Sequence, residues 1–146
     1  MTAASGLYGI TLRDQYDTSQ LAVNIDSDSF KLALVTDTHT PDFNAHDFFA
    51  DLTNEIPNGS GYTTGGNVTT GESIAVAAGF LTIDFTDVAW TVSTFSGVRA
   101  GAWYDDTLAS DPLICMNNFG SDFSVTAGTL TVVVHANGYL RFDIVP

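Results

Sequence analysis

The chain has 146 residues and a mass of 15.5 kDa, which fits one domain. Hydrophobic residues make up 45%, too many for a disordered tail, while charged residues make up 14% against an average of about 25%. Acids outnumber the four basic residues (Arg13, Lys31, Arg99, Arg141) to give a formal net charge of −13, which argues against a nucleic-acid partner and against an anionic membrane surface.

Residues 1–16 are weakly patterned and read as an N-terminal arm of the single domain 1–146. The stretch from Met1 to Gly6 lacks the basic and apolar regions of a secretory signal, so synthesis is expected in a cytoplasm. No run approaches the ~18–20 apolar residues of a membrane span. The segment from Asn24 to Ser29 alternates oxygen-bearing side chains like the first half of an EF-hand. Ser29 stands where that loop needs glycine and Val35 where it needs a bidentate Glu, which excludes an EF-hand and leaves only a looser calcium loop open.

Phe30 to Thr36 alternates Phe30, Leu32 and Leu34 on one face and predicts a strand. Asp37, His39, Asp42, His46 and Asp47 then crowd together. Histidine and carboxylate can hold zinc, but the spacing of His39 and His46 matches no defined motif, and turn formation explains the acids. One short helix is expected near residues 45–52, with Asn44 as its N-cap and Phe43 and Phe48 as a hydrophobic staple. Glycine-rich loops follow at Pro57–Gly61 and Gly65–Asn67.

The remainder reads as strands. Leu81, Ile83 and Phe85 alternate, as do Val88, Trp90 and Val92. Strands near Val98–Tyr104 and Leu113–Met116 flank a loop in which Asp105 and Asp106 read as solvated. Cys115, alone and flanked by Ile114 and Met116, reads as a small buried hydrophobe rather than a reactive thiol. Leu130, Val132 and Val134 alternate, and so do Leu140, Phe142 and Ile144, with Asn137-Gly138 between them as a type I′ hairpin turn. The expected fold is all-β: an antiparallel β-sandwich or small barrel with that one short helix.

Catalytic patterns fare poorly. No Gly-x-Ser-x-Gly elbow is present, Glu is represented only by Glu55 and Glu72, and the glycine-rich stretch from Gly59 to Gly66 contains no Lys. The expectation is a non-enzymatic chain with no cofactor and no metal. Leu7 and Tyr8 on the arm, and Trp103 and Tyr104 on a strand whose neighbours point to opposite faces, are the candidate interaction residues.

An ordered succession of strings carries a family resemblance. It runs from Lys31-Leu32-Ala33-Leu34-Val35-Thr36 through Thr40-Pro41-Asp42 to His46-Asp47-Phe48-Phe49-Ala50-Asp51-Leu52. It continues with Asn54-Glu55, Gly59-Ser60-Gly61-Tyr62-Thr63-Thr64-Gly65-Gly66 and Asp87-Val88-Ala89-Trp90. Then come Arg99-Ala100-Gly101-Ala102-Trp103-Tyr104-Asp105-Asp106, Ser110-Asp111-Pro112-Leu113-Ile114 and Asn118-Phe119-Gly120. From about residue 20 onward the chain resembles small structural proteins of tailed-bacteriophage virions, of the minor capsid or decoration type. The resemblance implies a capsid decoration (cement) protein on the outer capsid surface, with the major capsid protein as partner. Capsid symmetry would favour a homotrimer. Similar sequences tend to carry Lys where this one has Asp105-Asp106, so the chemistry of that edge differs. A tail, baseplate or fibre component is the first alternative, and a carbohydrate-binding adhesion module using Trp103 is the second.

Overall fold

Eight strands form two antiparallel sheets in a computed structural model that describes residues 4–145. The larger sheet has the order β1 (Gly6–Leu7), β7 (Leu113–Val132), β6 (Val88–Asp105), β2 (Phe30–Thr36) and β3 (Asn67–Val68). The smaller has the order β4 (Ser73–Ala77), β5 (Phe80–Asp84) and β8 (Leu140–Asp143). Both sheets keep free edges, so the fold is an open β-sandwich and not a closed barrel.

The apolar alternation explains the layers. Phe30, Leu32 and Leu34 point from β2 into the space between the sheets, where they meet Trp103, Cys115, Ile83 and Leu140. Ala33 and Val35, on the other side of β2, join Ala100, Ala102, Tyr104 and Met116 in a second core. Phe43, Phe49 and Leu52 from the long β2–β3 connection cover that second core. The larger sheet is therefore buried on both faces where β2 crosses it, over residues 98–105 of β6 and 113–116 of β7, and is largely exposed along the outer half of the β6–β7 hairpin.

The spine is the β6–β7 hairpin. Its 106–112 loop lies where the turn residues place it, but its arms run much longer than the two short strands the sequence predicts. Register shifts interrupt it repeatedly. One of them breaks the expected alternation at Val92, which has positive φ and is 83% exposed, while Ser93 turns inward and is fully buried. The bulge lets the Pro57–Gly61 loop dock: Thr94 N–H donates to the Ser60 carbonyl at 2.8 Å, and the Ser93 hydroxyl reaches the Gly61 carbonyl at 3.5 Å.

Three expectations need correction. No α-helix forms at residues 45–52; a single 3-10 turn spans Phe49–Asp51. Phe48 is extended and bridges Pro112, Phe49 N–H donates to the Asp111 carbonyl, and Leu113 N–H donates to the Asp47 carbonyl. Tertiary pairing overrides local helix propensity here. Asn44 caps nothing; its N–H donates to Asp42 Oδ1 in an Asx turn. Asn137-Gly138 closes a turn, with Gly138 N–H on the His135 carbonyl, but only Gly138 has positive φ. The strands it joins lie in different sheets, since β8 pairs with β5.

The expected arm is also not free within the described residues; its first three residues lie outside them. Gly6 and Leu7 pair with Met116 and Cys115, and Tyr8 N–H donates to the Ile114 carbonyl. A short helix, α1 (Gly9–Asp14), follows where the sequence shows no helical signal. Gly9 N–H donates to the Phe43 carbonyl, and Thr11 is buried against Asp47, so tertiary contacts hold this turn of helix in place.

Candidate functional site

Of the four candidate interaction residues, three are core. Tyr8 is fully buried with its ring 5.2 Å from Phe43. Trp103 is fully buried between Phe30 and Phe85, at 4.8 and 5.1 Å, and its indole N–H donates to Thr69 Oγ1. Tyr104, on the opposite face, stacks on Phe49 at 4.7 Å and donates its hydroxyl to the Gly65 carbonyl at 2.8 Å. Neighbouring aromatics on one strand point to opposite faces, but both faces of this sheet are covered, so neither ring reaches solvent. Only Leu7 stays half-buried, on the wall of a cleft described below.

The residues of the family-like strings converge on one piece of scaffold. Tyr62 Oη accepts the Leu34 N–H at 3.0 Å and donates to Glu55 Oε1 at 2.6 Å, and Glu55 Oε1 also accepts the Gly65 N–H. Gly66 has φ +78°, and a Cβ there would overlap the Leu32 carbonyl oxygen, so the loop can lie on β2 only as glycine. Lys31 Nζ reaches Asp106 Oδ1 at 2.9 Å. These motifs build the fold.

Most polar groups of these clusters are engaged by structure, while His39 Nε2 is buried without a hydrogen-bond partner. Asp37 pairs with Arg99 at 3.5 Å, and Asp42 and Asp51 accept backbone N–H groups. His39 is fully buried, its Nδ1 3.1 Å from Thr53 Oγ1; burial, helped by the nearby His46, lowers its pKa. In the calcium-like loop, Asn24 Oδ1 accepts the Asp26 N–H and Asp28 Oδ2 accepts the Asn24 N–H. Among the described residues no group of three or more His, Cys, Asp or Glu side chains could hold a metal ion. Cys115 is buried, and burial pushes its thiol well above the ordinary value.

Asp105 departs from the solvated loop the sequence suggests. It is fully buried, and its Oδ1 accepts the N–H groups of Thr107 and Leu108 at 2.8 and 3.2 Å. Burial, reinforced by the Asp28 carboxyl, pushes its pKa up to about 6.

What remains open is apolar. A cleft of about 870 Å³ lies between the sheets beside α1. Leu7, Leu12, Ile25, Ile114, Leu81 and Phe142 are among its walls, and Tyr16 stands at its rim, 84% exposed. Sequence reading missed α1, which shows no periodic pattern, and passed over the alternation of Leu21, Val23 and Ile25, which was a usable signal. The in-register apolar positions of β5 and β8 were the available signal for the floor. A second groove of about 350 Å³ is lined by Asn117, Phe119, Phe123, His135 and Tyr139. Comparison with family models, with curated proteins and with solved structures returns no match.

Proposed function

We propose that this chain is a non-enzymatic structural protein of a tailed-phage virion, a decoration protein that docks on the outer capsid shell through the α1 cleft. The observation that carries the reading is the contrast between that open apolar cleft and the rest of a −13 molecule. An acidic skin suits a site away from packaged DNA and keeps particles soluble. A predominantly apolar, concave patch, with only Arg13 and Asp26 charged on its walls, is where an acidic protein can still bury surface against the major capsid protein. The resemblance of the ordered strings to structural proteins of tailed-phage virions supports the reading. A ligand that binds only the assembled shell stabilises it by RT ln(1 + [L]/Kd), so docking alone accounts for a cement role.

The test is occupancy. Virions of the encoding phage should carry the chain in hundreds of copies at the outer surface, seen by immunogold labelling and quantitative mass spectrometry. Leu12→Asp should fold and fail to load onto shells stripped of the protein. A few to tens of copies confined to the tail would move the assignment to the tail or baseplate. Absence from virions, or a position against the genome, would refute it.

A further inference from the structure

The smaller sheet ends in a strand that lacks the usual protection of an edge. Among the described strands β4 has β5 on one side and nothing on the other, and all five of its residues are exposed. Free edges invite pairing, and proteins blunt them with charge, proline, bulges or shortness. The other edges follow that rule. β1 and β3 are two residues long, β8 carries Arg141 and Asp143, and the outer ribbon of β7 carries Asp122 and is broken by register shifts. β4 pairs with β5 in unbroken register, and no charge or proline occurs from Ser73 to Ile83.

Its apolar face is equally unfinished. Ile74, Ile83 and Leu140 form one cross-strand row, and Val76, Leu81 and Phe142 the next. Ile74 is 43% exposed and Val76 is 68% exposed, so the rows stop at the edge with large side chains in water.

We infer that β4 pairs antiparallel with β4 of a second copy of this chain, joining two three-stranded sheets into one of six strands. The edge is its own complement. With the twofold axis at Ala75, Ile74 lies opposite the second copy's Val76, Ser73 opposite its Ala77, and no charge meets another. Directly opposed residues of an antiparallel pair share a face, so both apolar rows continue across the axis. Two molecules of charge −13 repel over most of their surfaces, and this uncharged run is where their backbones can approach. The contact is isologous and closes at two copies, not at the three that capsid symmetry would favour. The apolar rows also floor the α1 cleft, but the dimer contact is made by the backbone edge of β4, so loss of the dimer and loss of docking are separately measurable.

Sedimentation equilibrium on the full chain across a dilution series decides the matter. A species of twice the 15.5 kDa chain mass is expected, abolished by Val76→Lys and retained by Val133→Lys, an exposed position outside the smaller sheet. Far-UV circular dichroism checks that the variants fold. Hydrogen exchange on the wild type needs no variant: protection of the Ser73–Ala77 amides should rise with protein concentration. A monomer throughout, a trimer, a dimer that survives Val76→Lys in folded form, or concentration-independent exchange would each overturn the inference.

Discussion

Asp105 shows how a single side chain ties stability to pH. Its carboxyl is fully buried and titrates near 6, above the ordinary carboxylate value of 3.8. The folded state therefore holds that proton more tightly than the unfolded chain does. The stability this contributes is fully present below the ordinary value and is lost as pH rises through about 6. Asp51 has the opposite sign, because the backbone N–H groups of Phe48 and Asp47 lower its pKa; its contribution is present above the ordinary value and lost as pH falls. Asp105→Asn should remove the first component alone. The Tm of the wild type relative to that variant is expected to fall by about 3–8 °C between pH 4 and 7. A difference that stays flat across that range would show that Asp105 is not protonated in the fold. Nothing in the string Tyr104-Asp105-Asp106 distinguishes the two acids. Asp105 is paired with Phe30 and faces the Asp28 carboxyl, both far away in sequence, so the distinction was not legible there.

Tyr62 tests the scaffold at the same scale. Its hydroxyl joins Leu34 of β2 to Glu55 and, through it, to Gly65. Tyr62→Phe keeps the ring and leaves a buried N–H and a carboxylate oxygen without that partner. Urea denaturation should report a loss of about 1–3 kcal/mol. A neutral result would mean that water replaces the hydroxyl.

Among the elements, the strands declared themselves where one sheet face is apolar and the other is not. β5 and β8 were legible for that reason, and β2 from the alternation of its larger side chains, Phe30, Leu32 and Leu34, although both its faces are buried. The helix expected at residues 45–52 failed because its backbone is claimed by Asp111, Pro112 and Leu113, partners more than fifty residues downstream. The length of the β6–β7 hairpin was hidden by its bulges, since each register shift reverses which residues face inward. The same hairpin puts Trp103 between the sheets, not on a binding platform. Trp103→Ala should therefore destabilise the chain by about 3–5 kcal/mol in urea unfolding, as removal of a fully buried large aromatic does. If that variant instead kept wild-type stability and lost glycan binding, the carbohydrate-binding alternative would regain its footing.

At the scale of the whole molecule the charge balance is lopsided in a way the structure makes specific. Arg13 pairs with Asp14, Lys31 with Asp106, and Arg99 with Asp37 and Asp122, while Arg141 stacks over the Phe80 ring at 3.5 Å. All four basic side chains are thus engaged, and the remaining acids repel one another across the surface. Added salt shortens the Debye length from about 30 Å at 0.01 M to about 8 Å at 0.15 M, which weakens that repulsion more than it weakens close ion pairs. The Tm should therefore rise as NaCl is raised from 0.01 to 0.15 M. The same screening should strengthen association of one acidic copy with another through β4, so dimer affinity and thermal stability should climb together with salt. A chain whose function depended on gripping phosphates would lose affinity over that range. Calorimetry and sedimentation at matched salt concentrations measure both trends, and a Tm that falls with salt would mean that the ion pairs outweigh the acid excess.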